Sequence, residues 1–296
     1  MHDQSDTQAA HEPAIDFVRQ LAIEVAGSGR LWRAASPEAF KEDCPQAACA
    51  YVAGASVAAF ADGIYGQQRE DLLNVTLLAQ LSANQRHERE RDTLNWYAWY
   101  RRVLLKLGWR LAPRREPKPM PPLAPRRPGL HLVGQVAGPP QLAAPQFTPF
   151  KPVVIAQPRF SADATALVLL RNKVDGAALQ ATEAALETLR SLDQRDRRTQ
   201  IFESSAHQGA SGSFQIISAS AVSEQLLSMT IAAMFFVTSE HVPRLLGFNF
   251  GRTTTTMHQA CDTLTLDAAD YAPVRAQVIE QLGDQAAAFI DEIELD

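Results

Sequence analysis

The chain has too few cysteines for a disulfide framework or a cysteine-rich metal site. Only Cys44, Cys49 and Cys261 occur, and an odd number without regular spacing does not form a set of paired crosslinks. The spacing of Cys44 and Cys49 is not that of a C-x-x-C redox or zinc motif, and no histidine pair lies nearby in the sequence. We therefore predict no metal site and a reducing cytoplasm as the place of synthesis.

Basic charge and long apolar runs are also scarce. The net charge of -5 and the isoelectric point near 5.8 argue against a nucleic-acid partner, which would need a basic face. The uncharged run at residues 45–61 is alanine-rich and just too short to span a bilayer as a helix. The N-terminus has neither the cationic nor the apolar part of a signal peptide. We therefore expect the protein to be able to associate with a membrane only peripherally and to leave the cell only by a non-classical route.

The uncharged run at residues 45–61 has the pattern of a closely packed helix. Ala50, Gly54 and Ala58 recur at every fourth position, which lets helix backbones approach each other. We predict a buried helix in a soluble core. The alternative is an interfacial segment with Cys44 and Cys49 at its edge, where a lipid could be attached.

The common catalytic signatures are missing. The sequence has no phosphate-binding P-loop, no G-x-G-x-x-G turn and no paired-carboxylate motif. His87 and Glu88 begin an H-E-x-x-H pattern, but Arg91 stands where the second histidine is needed. The mixed-charge run around them predicts a solvated helix face or turn.

The best chemical candidates lie in residues 202–214, FESSAHQGASGSF, which we predict to be a loop joining a helix to a sheet. Glu203, His207 and Ser211 supply an acid, a base and a hydroxyl nucleophile within one segment. The nearest motif is the nucleophile elbow G-x-S-x-G, but Ser213 replaces its last glycine, and the elbow needs a strand before it. A glycine-rich turn capped by hydroxyls is the favoured interpretation.

Amphipathic helices dominate the first part of the chain. We predict a disordered tail over residues 1–13 and a helical region over 14–111, with helices near 68–84 and 93–107. Trp96 and Tyr100 recur on one face of the second helix, as core aromatics do. A glycine after that helix, Gly108, is placed to end it.

The second part of the chain has a different pattern. Residues 112–158 are rich in proline and basic side chains, and they predict an extended linker, a site for a protein partner or a contact with an anionic membrane. Residues 159–296 predict an α+β region, with a helix over 175–192, strands over 214–220, 226–238 and 245–256, and a helix over 268–292. The predicted fold is mixed α+β: helices of 14–111 pack, in one domain, on a C-terminal antiparallel sheet with one covered face.

Four segments together resemble the bacterial virulence factor Evf family. They are EDLLNVTLLAQLSANQ, DTLNWYAWYRRVLLKLGW, FESSAHQGASGSFQI and DYAPVRAQVIEQLGDQAAAFI. The resemblance covers roughly residues 62–289, apart from the proline-rich stretch. It implies a mixed α/β protein without known enzymatic activity that is linked to fatty acylation of a cysteine and to membranes.

The sequence departs from this family where the acylated cysteine is expected, a few residues after FQI. Ser218, Ala219 and Ser220 stand there, and without a thiol a thioester cannot form. Cys261, Cys44 and Cys49 are the remaining acylation candidates.

The functional prediction is a noncatalytic virulence-type factor that binds or carries a fatty-acyl chain and associates with membranes. The predicted acyl pocket is lined by Trp96, Tyr100, Phe214 and Phe235, with the fatty acid as the only bound group. The alternatives are an enzyme for a hydrophobic substrate acting through residues 203–213, and an interaction module using the proline-rich segment.

Overall fold

Groups of helices and groups of strands follow one another along the chain in the computed structural model, which describes residues 4–25, 45–89, 91–112, 150–153 and 158–295. The helices are α1 (Gln4–Arg19), α2 (Gly66–Arg86), α3 (Thr93–Lys106), α4 (Ala162–Arg171), α5 (Gly176–Ser191), α6 (Arg197–Ala206), α7 (Ala268–Leu282) and α8 (Gln285–Phe289). The strands are β1 (Pro45–Gln46), β2 (Cys49–Ala53), β3 (Ser56–Phe60), β4 (Ile64–Tyr65), β5 (Arg110–Leu111), β6 (Lys151–Pro152), β7 (Arg159–Ser161), β8 (His207–Gln208), β9 (Ser211–Ala221), β10 (Leu226–Thr238), β11 (Asn249–Gly251), β12 (Thr255–Asp267) and β13 (Ile290–Ile293).

The mixed α+β class is confirmed, and its centre is one sheet with the strand order β13-β2-β3-β9-β10-β12-β5. Strands from both parts of the chain belong to this sheet, so the region predicted to be helical also supplies β2 and β3. The sheet is not purely antiparallel, because β3 runs parallel to β9. β6 pairs with β12, and β8 pairs with β9.

Helices cover both faces of the sheet, which corrects the prediction of one covered face. Ile217 and Ile231 pack in a cluster with α1, α2, α3 and α7. Their neighbours Ile216 and Ala232 pack on the other side with α4, α5 and α6. Successive side chains of a strand point to opposite faces, so a strand buried on both faces is a continuous apolar run.

The prediction of a helix over residues 45–61 is wrong, because these residues form the β2–β3 hairpin. Its strands are buried on both faces and therefore form a continuous apolar run. Gly54 lies at the turn with φ of +57°, a conformation that glycine adopts without steric cost. The two strands pair antiparallel, with Cys49 opposite Phe60. Every residue of both strands is buried, so no polar alternation marks the segment as β structure.

Three of the predicted helices, those over 68–84, 93–107 and 175–192, are confirmed. α2, α3 and α5 lie within two residues of the predicted ends. Residues 163–170, whose pattern fits a strand or a helix, belong to α4, and the Ser161 hydroxyl accepts a hydrogen bond from the Ala164 N–H at its start. Gly108 has φ of +93° after α3, as a glycine that ends a helix should.

Two segments in the second part differ from the prediction. Residues 202–214 are not a loop: α6 ends at Ala206, and the tight β8–β9 hairpin follows. The predicted strand over 245–256 is too early, because only short β11 and the start of β12 lie there. β12 contains half-buried His258 and buried Asp262. Because these polar residues interrupt its apolar pattern, the strand is hard to recognise in the sequence.

The structure also differs from the prediction at both ends of the chain. α1 begins at Gln4, inside the segment predicted to be a disordered tail. The last helix stops at Leu282, because Gly283 takes φ of +49° and breaks the run. α8 and edge strand β13 follow, and β13 pairs with β2.

Candidate functional site

Glu203 and His207 lie together at the C-terminal end of α6. The His207 Nε2 atom is 3.0 Å from Glu203 Oε2, which also accepts a hydrogen bond from the Leu245 N–H at 2.8 Å. Because a carboxylate can only accept hydrogen bonds, Nε2 is the ring nitrogen that carries the proton. The remaining nitrogen, Nδ1, is buried and has no hydrogen-bond partner among the described residues. The pair therefore ties α6 to the loop before β11 and offers a substrate no accessible base.

Ser211 is not assembled with this pair. In the β8–β9 hairpin His207 lies opposite Gly212, and Gln208 lies opposite Ser211. Directly opposed residues share one face of a hairpin, so His207 and Ser211 are on different faces. No hydrogen bond joins them among the described residues. A Ser211–His207–Glu203 relay is thus not formed.

The four residues predicted to line an acyl pocket do not surround one space. Trp96 and Tyr100 are buried in the cluster on the α3 side of the sheet, with their rings stacked 5.5 Å apart. Phe214 is buried in the cluster on the opposite side. Phe235 is half-buried, and its ring is 6.2 Å from that of His258. The sheet itself separates the predicted pocket into unconnected parts.

The two described cysteines are poor acyl acceptors. Cys49, at the start of β2, and Cys261, in β12, are both buried. Burial raises the pKa of each thiol to about 11, so the reactive thiolate is scarce at neutral pH. Cys44 lies outside the described residues.

The position predicted for the family's acylated cysteine is part of the core of β9. Ser218 is 2% exposed, and its hydroxyl donates to the Ala178 carbonyl of α5 at 3.1 Å. Ala219 faces the opposite cluster and is fully buried. Neither side chain is accessible for modification in this packing.

A polar cleft of about 420 Å³, open to solvent, lies beside His207. One wall comes from the segment after α1, the last turn of α2 and the α2–α3 connection, including Glu24, Asn84 and Arg89. The other wall is the end of α6 and the β8–β9 hairpin. A Cβ on Gly212, which lines the cleft, would come within 2.6 Å of the Ala206 carbonyl oxygen. The sequence indicated a solvated turn at residues 86–92, and nothing in its charge pattern marks Arg89 as the residue that turns inward.

A second surface is the outward face of α3. Leu94 is 63% exposed, and Trp99 is half-buried farther along the helix. Trp99 lies between two guanidinium groups: that of Arg86 is 4.0 Å from the ring centre, and that of Arg102 is 5.3 Å from it. Exposed Lys106 ends the same face. α3 itself contains no acidic residue, so this surface is basic and partly apolar.

Within the described ranges, no set of three or more His, Cys, Asp or Glu side chains is arranged to hold a metal ion. None of the helices described there has the length and apolar content to cross a bilayer. The proline-rich segment predicted as a partner site lies almost entirely outside the described residues. The chain matched no protein-family model, no curated protein and no solved structure.

Proposed function

We propose that this protein is a noncatalytic, Evf-type factor that associates with membranes through the outward face of α3. The observation that supports this is the combination on the outward face of one helix of an exposed leucine, a half-buried tryptophan and the exposed basic side chains of Arg102 and Lys106. The separation of Ser211 from His207 removes the support for the enzymatic alternative.

The α3 face has the chemistry of the bilayer interface. Tryptophan is enriched at that depth, where its ring meets both apolar and polar surroundings. Leu94 can insert its side chain among the acyl chains, while Arg102 and Lys106 extend their charged ends to the headgroups. Anionic lipids attract such residues by about 1 kcal/mol for each basic side chain near the surface. Because the chain has a net charge of -5, an anionic bilayer repels the protein as a whole and attracts it through this basic face.

We expect binding to vesicles of phosphatidylcholine and phosphatidylserine, and much weaker binding to phosphatidylcholine alone. Replacing Arg102 and Lys106 together by glutamine should lower the partition coefficient roughly 30-fold, from two lost attractions of about 1 kcal/mol each. Vesicle co-sedimentation of the full chain at low ionic strength measures both effects. Added salt should weaken the binding by screening.

The matched control replaces Arg195 and Arg252 by glutamine, because both are exposed and lie away from α3. This variant loses the same charge, and its partition coefficient should stay close to that of the wild type. Equal weakening in both variants would reduce the effect to net charge and contradict a defined surface. Absence of vesicle binding by the wild type would remove the proposal.

The acyl part of the proposal concerns a covalently held chain that strengthens membrane binding. In protein from its native source, we expect an intact mass raised by one fatty-acyl group and restored by hydroxylamine. The increment should persist in Cys49→Ser and Cys261→Ser, because both thiols are buried and protonated at neutral pH. It should disappear in Cys44→Ser. An unmodified native mass, or loss of the increment in Cys49→Ser, would contradict this part.

A further inference from the structure

We infer that the outward face of α3 recognises a lipid phosphomonoester, the headgroup of phosphatidic acid, through the guanidinium groups of Arg86 and Arg102. The inference rests on the proposed function, because it names the headgroup that the same surface prefers. A surface that only attracts negative charge would not distinguish a phosphomonoester from other anionic headgroups. The observation that carries the inference is that both guanidinium groups lie over one tryptophan ring, that of Trp99.

The indole of Trp99 is held in place by two other helices. Its Nε1 donates to Ser82 Oγ of α2 at 3.0 Å, which ties α3 to α2 at this point. The ring of Phe17, from α1, is centred 6.4 Å from that of Trp99 at an interplanar angle of 49°. These contacts limit the rotation of the indole, although the side chain is only half-buried. The ring is therefore a defined platform for the groups beside it.

Arg86, in the last turn of α2, and Arg102, in α3, both use this platform. The guanidinium carbon of Arg86 is 4.0 Å from the ring centre of Trp99, and that of Arg102 is 5.3 Å from it. A guanidinium that stacks on a ring uses its flat face, which leaves the N–H groups at its edge for hydrogen bonds. Because both groups lie beside one ring, a single anion at the edge of the indole can accept from both.

Neither guanidinium has an ion pair or a hydrogen bond within the part of the chain that the structure describes, and both side chains are exposed. Two acidic residues between α2 and α3 have other partners. Glu88 Oε2 is 3.1 Å from Arg91 Nη1, and Asp92 Oδ2 is 2.9 Å from His87 Nδ1. The donors on the Trp99 platform therefore remain available to an anion from outside the protein.

A phosphomonoester has the charge and the acceptors that two guanidinium groups require. Its terminal phosphate carries a charge of about -1.5 to -2 at neutral pH, and it has three oxygens that accept hydrogen bonds. Each guanidinium fork binds two oxygens of one phosphate. The phosphodiester of phosphatidylserine has only two unesterified oxygens and one negative charge, so it satisfies the two forks less completely. The pair therefore favours the phosphomonoester.

The surroundings of the two forks favour a lipid over a soluble phosphate. Exposed Leu94 lies on the same outward face of α3, and exposed Lys106 ends it. A soluble phosphate would leave both guanidinium groups in water, where an ion pair gains little. At a bilayer, insertion of the leucine adds apolar contact, and the lower dielectric near the headgroups strengthens the same hydrogen bonds.

Vesicle co-sedimentation of the full chain tests the inference. Phosphatidylcholine vesicles contain either phosphatidic acid or phosphatidylserine, in amounts that give the same zeta potential. We expect a partition coefficient roughly tenfold higher for phosphatidic acid, because a second bidentate, charge-assisted contact forms. Arg86→Lys/Arg102→Lys keeps both charges but replaces each planar fork by a point charge, so the ratio of the two coefficients should fall close to one.

The matched control is Arg195→Lys/Arg252→Lys, at two exposed positions away from α3, and it should keep the tenfold ratio. A ratio near one for the wild type would overturn the inference and leave the proposed membrane function standing. An unchanged ratio in Arg86→Lys/Arg102→Lys would also overturn it. Absence of binding to both kinds of vesicle would remove the inference together with the proposed function.

A competition experiment distinguishes the lipid from other sources of the same phosphate. Soluble glycerol 3-phosphate and a phosphoserine peptide are each added at the concentration of accessible phosphatidic acid. We expect neither to displace the protein from the vesicles, because neither gains the apolar contact of a bilayer. Displacement by either compound would overturn the assignment to a lipid headgroup, and displacement by the peptide would identify a protein partner instead.

Discussion

Replacing Asp262 by alanine is expected to lower the free energy of unfolding by about 3–5 kcal/mol, because it leaves a buried guanidinium without its carboxylate. Arg101 Nε lies 3.0 Å from Asp262 Oδ2, and the two side chains are 3% and 4% exposed. The Tyr97 hydroxyl donates to the same oxygen at 2.9 Å. Burial, and then the charge of Asp262, hold the pKa of Tyr97 well above its usual value. Urea denaturation of the variant measures the loss.

A surface ion pair is the matched control for this substitution. Glu88 and Arg91 are 3.1 Å apart but are 67% and 84% exposed, so Glu88→Ala should cost at most about 1 kcal/mol. Replacing Arg101 by methionine together with Asp262 by leucine should recover much of the loss, since both charges then leave the core. A similar cost for Asp262→Ala and Glu88→Ala would contradict the assignment of a buried pair between α3 and β12.

Stability should fall steeply as the pH rises above about 9, the ordinary pKa of a thiol. Burial raises the pKa of Cys49 and Cys261 to about 11, so the unfolded chain releases these protons first. The stabilisation is fully present below the unfolded pKa and is lost as the pH approaches the folded pKa. Two thiols, each shifted by about two pH units, would together cost about 5 kcal/mol. Urea midpoints measured from neutral pH to pH 11 test this.

Buried phenols extend the same effect to higher pH. Burial raises the pKa of Tyr100 and Tyr271 above the usual value for tyrosine. In a Cys49→Ala/Cys261→Ala variant, the decline should therefore begin about one pH unit later, near the ordinary pKa of tyrosine. A decline that starts at the same pH in this variant would show that the thiols contribute nothing. Constant stability up to pH 11 would contradict the burial of both classes of group.

The helices were predictable where local periodicity matches one buried face. α3 has Trp96, Tyr100 and Val103 at helical spacing, all buried. α6 was missed because only Ile201, Phe202 and Ala206 mark its buried side among polar residues. Its first turn is stabilised by Asp196, whose carboxylate accepts from the Arg198 N–H at 2.9 Å. A short helix with a weak apolar stripe depends on its neighbours for stability.

The candidate site was partly predictable for a related reason. Glu203 and His207 are four residues apart, so a helical turn alone brings them together. Ser211 is only four residues farther along the chain, but the hairpin alternation turns it to the other face. The cleft could not be predicted, because Glu24, Arg89 and Gly212 meet only through packing between distant segments.

The sequence alone predicts the α+β class, the positions of α2, α3 and α5, the middle strands of the sheet and the acid-free face of α3. All of these depend on contacts between residues a few positions apart, or on composition alone. Three features depend on long-range contacts: residues 45–61 form strands, the sheet is covered on both faces, and the thiols of Cys49 and Cys261 are buried. A fully apolar segment carries no record of which partner covers each side, and that choice is made by long-range pairing such as β3 with β9.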